Sequence, residues 1–207
     1  DGHAWSALGD GLLGPPGSPN TQVTALVRTR EGWVAAGEFA RSGDRPVVGL
    51  ARWDGAAWQP WADDGEPQGG VSRLATTSDG ALYLGGRFTR LGAAVTGLGI
   101  ARFREGRFEA LGDGVVGSVL TLAPDGDEAV LAGGQFAHGG GQVLGGVGRW
   151  TGNRWEALGE GVEGVVHAAT RLAGGSVVVG GGLESAGGEA VRGLARWDGR
   201  SWSGWDP

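Results

Sequence analysis

Short apolar runs separated by turn residues recur along the whole chain. In four successive segments a first run (VTALV, VSRLAT, VLTLA or VVHAAT) precedes a second run (WVAAGEF, LYLGGRF, VLAGGQF or VVVGGGL). The residues between the two runs (REG, SDG, PDGD, AGG) are typical of the turns of β-hairpins. No segment has the 3.6-residue periodicity of an amphipathic helix. The pattern therefore predicts an all-β fold.

A repeated aromatic phrase predicts a second hairpin in each segment. The phrase reads ARWDGAAW at 51–58, ARFREGRF at 101–108, GRWTGNRW at 148–155 and ARWDGRSW at 195–202. Residues that flank a tight turn symmetrically face each other on one side of an antiparallel hairpin, so the aromatic residues are expected to form cross-strand pairs. The expected pairs are Trp53/Trp58, Phe103/Phe108, Trp150/Trp155 and Trp197/Trp202. Large residues beside small ones on this face would let neighbouring sheets interdigitate.

The residue before the first aromatic of each phrase is arginine and lies on the opposite face. These residues are Arg52, Arg102, Arg149 and Arg196. Across the hairpin from them are Gln59, Glu109, Glu156 and Ser203. Arg102 with Glu109, and Arg149 with Glu156, are therefore candidate cross-strand ion pairs at the outer edge of the sheet, where exposure would leave each pair worth little.

The spacing of the phrase predicts the architecture. Its second aromatic falls at Trp58, Phe108, Trp155 and Trp202, and Trp5 belongs to the same series. Four-stranded units of roughly 45–50 residues are typical of β-propeller blades. We therefore expect one domain over 1–207, with four-stranded antiparallel blades in repeats of approximately 5–57, 58–107, 108–154 and 155–202. A closed four-bladed ring is the preferred arrangement, and half of an eight-bladed ring closed by two chains is the alternative.

Trp5 is a fifth copy of the outermost strand beside four copies of the other three. Either this N-terminal copy completes the last blade, or it is what remains of a preceding blade. The chain also lacks Met and begins in the middle of a phrase. These features lead us to expect a segment of a longer protein.

Composition excludes several classes of function. The formal net charge of −6 provides no basic surface for nucleic acid. No apolar run approaches the roughly 18 residues of a membrane-spanning helix, so no membrane insertion is expected. The absence of Cys rules out disulfides and thiol chemistry. The 46 Gly residues follow no Gly-X-Y period, which excludes a collagen-like chain.

Apparent cofactor motifs are explained by the repeat. The segments 9–14, 112–117 and 159–164 match G-x-G-x-x-G, but each recurs with the blade period and precedes a strand instead of the helix that nucleotide binding needs. His3, His138 and His167 fall at unrelated repeat positions, so a zinc site is not expected. We predict no cofactor, with Ca²⁺ as the one candidate ion.

The calcium candidate is a repeated series of acidic turn residues. Its members are Asp10, Asp63, Asp113 and Glu160. Each precedes the innermost strand of a blade, so ring closure would place them around one face, and oxygen ligands suit Ca²⁺. The alternative is that Asp-Gly is simply favourable turn chemistry, or that each acid pairs with a repeated Arg.

The segment LYLGGRFTRLG followed by GIARFREGRFEALGDGV resembles the Gly-rich, kelch-type propeller repeats of large bacterial surface or secreted proteins. It is also similar to repeats of fungal cortical-marker proteins. The Gly doublets Gly85–Gly86 and Gly133–Gly134 carry the likeness most specifically, while the first repeat retains only Gly37 and the fourth has Leu183 in place of Phe. The resemblance covers essentially the whole chain and implies a propeller with an interaction role and an extracellular or periplasmic location in bacteria. It transfers no catalytic residue.

Three hypotheses of function follow. The first is a non-catalytic interaction or structural module of a larger extracellular protein, with a protein or glycan ligand on its loop face. The second is a lectin-like propeller, because a Trp-rich repeat can present several equivalent sugar pockets. The third is an enzyme with its site at the channel mouth, although no residue pattern supports catalysis. The protein would be a monomer or a homodimer, depending on how the propeller closes.

Overall fold

The computed structural model describes residues 3–205 apart from 19, 62–65, 93–94 and 97–98, with only the backbone of 95 and 96. The described residues form strands, turns and bends, without a helix. Accordingly, none of these segments is a helix long and apolar enough to cross a membrane. The predicted all-β fold is confirmed.

Four antiparallel sheets follow one another along the chain. The first contains β1 (Gln22–Thr29), β2 (Gly32–Glu38), β5 (Leu50–Trp53) and β6 (Trp58–Pro60), with a separate short ribbon of β3 (Arg41–Ser42) and β4 (Arg45–Pro46). The second contains β7 (Gln68–Thr76), β8 (Leu82–Leu91), β9 (Val95–Thr96), β10 (Ile100–Arg104) and β11 (Arg107–Ala110). The third contains β12 (Val115–Pro124), β13 (Val130–Gly139), β14 (Gln142–Val143), β15 (Val147–Trp150) and β16 (Trp155–Ala157). The fourth contains β17 (Val162–Arg171), β18 (Val177–Ala186), β19 (Glu189–Ala190), β20 (Leu194–Trp197) and β21 (Trp202–Gly204).

Each sheet is offset from the repeat boundaries drawn on the sequence. The strand that was expected to open a repeat, such as β6 at Trp58, pairs with the preceding strand and completes the previous sheet. Trp5 is in no strand and is fully exposed, whereas Trp202 lies in the outermost strand of the fourth sheet. The N-terminal copy therefore does not complete the last sheet, which is built entirely from its own segment.

The four aromatic pairs lie directly opposite each other in their hairpins. Their ring centroids are 5.5 Å apart for Trp53/Trp58, 5.1 Å for Phe103/Phe108, and 5.6 Å for both Trp150/Trp155 and Trp197/Trp202. Three of the four pairs have the T-shaped geometry that the quadrupoles of aromatic rings favour. Burial of each large side chain contributes about 1.5–3 kcal/mol, which is more than the contact between the rings.

The indole N–H groups of two outer-strand Trp residues fix the turn at the start of their own sheet. Trp155 Nε1 donates to the carbonyl of Leu111 over 2.9 Å, and Trp202 Nε1 donates to that of Leu158 over 2.6 Å. Leu111 precedes β12, and Trp155 lies in β16 of the same sheet. The hydrogen bond therefore joins the two ends of one unit and closes it as a packing module.

Glycine permits the close packing of one sheet on the next. A Cβ on Gly85 of the second sheet would lie 2.7 Å from Cγ1 of Val119 in the third. A Cβ on Gly133 of the third sheet would lie 2.6 Å from Cγ1 of Val166 in the fourth. A real Cβ atom does not fit at such distances, so the first glycine of each of these doublets receives a valine of the following sheet.

The sheets pack in a row from the first to the fourth. Their first two strands make the contacts between neighbours: β1 and β2 lie against β7, β7 and β8 against β12, and β12 and β13 against β17. In the described part of the chain the outermost strands make no comparable contact with a neighbouring sheet, so the sheets spread apart outward. Nor does the fourth sheet pack comparably on the first within these residues. The expected closed ring of four is therefore not confirmed by the contacts of the described residues.

We predict that Trp155→Phe destabilises the fold by about 0.5–1.5 kcal/mol, because it removes the hydrogen bond from the indole N–H to the Leu111 carbonyl, which keeps only the N–H of Gly114. Phenylalanine fits this position, since Phe108 occupies its equivalent in the second sheet. The measurement is the urea midpoint of unfolding, with the exposed Trp5→Phe as the matched control. Equal midpoints for the two variants would contradict a stabilising role for the indole N–H.

Candidate functional site

The acidic turn residues are spread over equivalent turns. Asp10, Asp113 and Glu160 are exposed, and Asp63 lies outside the described residues. The three described turns are closed alike, by backbone N–H groups of Gly11, Gly114 and Gly161 that donate to the carbonyls of Leu8, Leu111 and Leu158 over 3.2, 3.1 and 3.1 Å. Among the described side chains no three His, Asp or Glu residues converge as a metal site would require. The described acids therefore act as separate turn residues.

The arginine series divides into two exposed and two half-buried members. Arg52 and Arg196, in the first and last sheets, are exposed, whereas Arg102 and Arg149 are half-buried. Arg102 pairs with Glu109 over 2.6 Å, as the cross-strand register predicts. Arg149 lies opposite Glu156 but pairs instead with the buried carboxylate of Asp125, and Glu156 pairs with Arg154 over 2.7 Å. The expected Arg149–Glu156 pair is wrong, because a buried carboxylate needs a cation more than an accessible one does.

Between the second and third sheets, polar contacts lie towards the outer strands. The Tyr83 hydroxyl donates to the Glu128 carbonyl over 2.8 Å, and Arg102 Nη1 donates to the Gly152 carbonyl over 3.5 Å. At the junction of the third and fourth sheets, Asp125 lies between Arg149 and Arg171, with 3.0 Å from its Oδ1 to Arg171 Nε. These groups fill the space between neighbouring sheets where the sheets spread apart.

The junction of the first and second sheets is open at the same place. Val34 and Arg52 hold the positions that Tyr83 and Arg102 hold in the second sheet, and Val34 has no hydroxyl to cross the gap. A cavity of about 280 Å³ lies here, lined by the turns at Arg30–Glu31, Asp79–Gly80 and Arg104–Gly106. A second cavity of about 180 Å³ shares Thr29, Glu31 and Trp61 with it. We refer to the two cavities together as the cleft.

Trp61 is the aromatic centre of the cleft. It lines both cavities, and its ring lies 4.9 Å from that of Phe103 in T-shaped geometry. Its indole Nε1 is buried and has no hydrogen-bond partner among the described residues. Most buried donors in proteins are paired, but Trp150 Nε1 is likewise buried without a described partner, so this feature alone does not distinguish the cleft.

Trp61 departs from the repeat in a compensated way. Three residues after the outer aromatic, three of the other four copies have leucine (Leu8, Leu111 and Leu158), whereas this copy has Trp61 and the last copy has Trp205. The next outer aromatic is the smaller Phe108 where the third and fourth sheets have Trp155 and Trp202. The large ring has therefore moved from the outer strand to the connection between the first two sheets, and Phe108 supplies no indole donor to that connection.

Charges of both signs surround the cleft. Arg104 Nη1 lies 3.8 Å from Asp79 Oδ2 and 3.8 Å from Glu128 Oε1, and its Nε lies 3.9 Å from Glu105 Oε1. Burial acts to raise the pKa of Asp79, but hydrogen bonds from the Thr77 hydroxyl and the Ala81 N–H, with the charge of Arg104, outweigh it and hold this pKa below its ordinary value. Asp79 is thus an ionised acceptor at neutral pH.

A second carboxylate of the cleft is also held ionised. Asp54 accepts hydrogen bonds from the N–H groups of Ala57 and Ala56 over 2.8 and 2.9 Å and from Gln59 Nε2 over 2.6 Å. These bonds lower the pKa of Asp54 to about 2. The repeated WDG turn is therefore an Asx-type turn, in which the acidic side chain organises the hairpin.

Sequence reasoning missed the cleft residues Trp61 and Asp79 and the buried ion-pair residue Asp125. Trp61 had a readable signal, since it replaces the leucine of a repeated turn. Asp79 and Asp125 belong to hairpin turns in which acidic residues are ordinary. The burial of Asp125 comes from the neighbouring sheet, and local sequence carries no sign of it.

Comparisons with known proteins show a fold relationship and no family. No family model and no curated protein matches the chain. A solved structure that it resembles is the extracellular domain of BT4673 from B. thetaiotaomicron, a protein assigned to the one-component systems. The TM-score is 0.57 at 16% identity, over 93% of this chain and 22% of that chain. The chain thus spans about a fifth of the other protein's length, and at this identity the likeness concerns the fold alone.

We predict that Asp79→Asn lowers the melting temperature at pH 7, and that the difference from the unsubstituted protein narrows in acid. The folded pKa of Asp79 lies below the 3.8 of the free side chain, so folding favours the ionised form. Its contribution is complete above pH 3.8 and disappears as the pH falls through the folded value. Thermal unfolding followed by circular dichroism measures this.

The control for that experiment is Asp113→Asn, which alters an exposed acid on a turn of the same chain. If the difference in melting temperature between Asp79→Asn and the unsubstituted protein stays constant from pH 7 to the acid limit, the Asp79 charge does not contribute to stability.

Proposed function

We propose that the chain is a run of four β-propeller blades that serves as a non-catalytic binding module of an extracellular protein. The observation that carries this proposal is the combination of a regular frame with one irregular junction. Three neighbouring pairs of sheets pack through equivalent strands, and at the first of these junctions the cleft takes the place of contacts like those of Tyr83 and Arg102, leaving the Arg30–Ser78 hydrogen bond between the turns.

The propeller assignment is supported by how the sheets spread. Contacts between neighbours are made by first and second strands, so the sheets converge on their first strands, as blades do around a propeller axis. Each unit has the blade topology of consecutive antiparallel strands with a short ribbon between the second and third. The likeness in fold to an extracellular domain agrees with a place outside the cytoplasm.

A binding role is supported by the chemistry of the cleft. Ligand sites are concave and largely apolar, with a few polar groups that fix the orientation of the ligand. Here Trp61 and Phe103 provide aromatic surface, while Asp54, Asp79 and Arg104 provide fixed charges at its margin. The carboxylates are already engaged by hydrogen bonds or by Arg104, an arrangement suited to holding a ligand.

A saccharide is the ligand class that the cleft favours. Aromatic rings pack on the apolar faces of sugar rings, and carboxylates and guanidinium groups bind hydroxyls. An indole presents an apolar body with a polar edge, which meets both requirements. This is the lectin-like alternative, but with a cleft between two sheets in place of equivalent pockets on every blade.

The test is binding of a panel of soluble oligosaccharides, followed by tryptophan fluorescence and by calorimetry. Trp61→Leu is the variant of choice, because leucine occupies the equivalent position in three of the other four copies and the frame accepts it. We expect a loss of affinity of about tenfold or more, which corresponds to about 1.4 kcal/mol. Trp5→Phe, which changes an exposed Trp in no strand, is the matched control.

The same mixtures are analysed for new reducing ends. Binding that Trp61→Leu weakens, without cleavage of the sugar, supports a non-catalytic saccharide module. Cleavage would contradict the non-catalytic role. If no member of the panel binds, or if Trp61→Leu binds as tightly as the unsubstituted protein, the saccharide assignment of the cleft is wrong.

A further inference from the structure

The first sheet has an apolar face that no other sheet covers among the described residues. Val23, Leu26 and Trp33 are exposed on this face, which we call the leading face. Val23 is 48% exposed, whereas its equivalents Val71, Val119 and Val166 are 1%, 0% and 0% exposed. The equivalents in the other three sheets are buried against the preceding sheet, as Val119 is on Gly85. The leading face therefore has the residues of a sheet junction without the second sheet.

The fourth sheet has the complementary face exposed, which we call the trailing face. Leu194 is 43% exposed, whereas the residues at its position in the first three sheets, Leu50, Ile100 and Val147, are 3%, 0% and 0% exposed. Gly180 holds the position of Gly85 and Gly133, yet a Cβ there would meet only atoms of its own sheet within 4 Å. The glycine that receives a valine in the second and third sheets is covered in the fourth only by Leu194 of its own sheet, whose Cδ2 would lie 2.9 Å from such a Cβ.

The polar residues of the two faces are also those of a junction, since Arg28 and Arg196 hold the positions of Arg171 and Arg149, which lie between the third and fourth sheets. Repeat proteins usually end in units whose outer face is polar, because an exposed apolar face causes association. Here Ala168, Thr170 and Val178 of the trailing face occupy the positions of Thr121, Ala123 and Leu131, which the fourth sheet buries. The small and apolar character of the junction thus continues to both ends of the row.

We propose that the trailing face of one chain binds the leading face of a second copy of this chain. Val23 of one copy enters the place above Gly180 of the other, as Val166 does above Gly133 within the chain. The contact joins two different surfaces, so its repetition produces either a closed ring or an open filament. Reciprocal contact of two copies closes eight sheets around a two-fold axis and leaves neither face exposed.

A second copy is the occupant that matches both faces. Any partner has to present a valine and an apolar strand to the trailing face, and a glycine with small neighbours to the leading face. This chain presents both, and the three junctions within it show that the two kinds of face fit each other. The inference rests on the propeller arrangement proposed above and is independent of the ligand of the cleft.

The first measurement is the molar mass in solution by light scattering over a concentration series. We expect a discrete dimer. Val23→Glu and Leu194→Glu each place a charge in both contacts of the dimer. Each should raise the dissociation constant of the dimer by on the order of a hundredfold or more. Val143→Glu is the matched control, since Val143 is exposed in the third sheet outside either face.

A mixing experiment tests which surfaces meet. Val23→Glu retains an intact trailing face and Leu194→Glu an intact leading face, so a mixture of the two variants should regain a dimer through one contact. If like faces met instead, each variant would already dimerise alone. Circular dichroism verifies that the variants fold, and Leu26→Arg, on the leading face, replaces Val23→Glu if that variant does not.

The opposing outcomes separate this proposal from the propeller itself. A folded monomer at every concentration overturns the association, and a series of growing oligomers overturns ring closure. In either case small-angle scattering of the monomeric species shows whether the four sheets form an open arc. An arc that remains monomeric leaves the propeller intact, whereas another shape contradicts the arrangement on which both proposals depend.

Discussion

A β-sheet that is apolar on both faces has to be covered on both sides, and in this chain only another sheet of the same kind can do so. The unit is small and contains no helix in its described part, so its two faces are its only large apolar surfaces. Packing of the first two strands of one sheet on those of the next meets this requirement three times. Each internal sheet is buried twice, while each terminal sheet is buried once.

The repeated residues serve this constraint in different ways. Within a unit, the indole N–H of Trp155 or Trp202 binds the turn that starts its own sheet, which fixes the outer edge. Between units, a glycine on one sheet accommodates a valine of the following sheet, which sets how closely the sheets approach. The first contact gives each unit its shape, and the second repeats that shape along the chain with little variation.

Sequence patterns predicted the local features of each sheet. They failed where packing against a neighbouring sheet determines the structure. The register of each outer hairpin follows from two aromatic residues around a tight turn, so the pairing of Trp53 with Trp58 could be read directly. The pairing of Arg149 could not, because its partner Asp125 is buried by the packing of the fourth sheet. Ring closure depends on the angle between sheets, which no single repeat encodes. The boundaries of the repeats were displaced by one strand because a periodic sequence has no intrinsic starting point.

The cleft arises from the same packing rules, through an exchange of large and smaller side chains between two positions. Where the outer aromatic is Phe108 in place of Trp, the connection before that sheet has Trp61 in place of Leu, so the large ring remains at the junction but changes its element. Val34 and Leu131 both lack the hydroxyl of Tyr83, but only at the junction of the third and fourth sheets does Asp125, with Arg149 and Arg171, occupy the place instead. A position that leaves the consensus of its own chain while its neighbour changes in compensation is where a repeated frame can acquire a specific site, and here the exchange places the Trp61 ring against both cavities of the cleft.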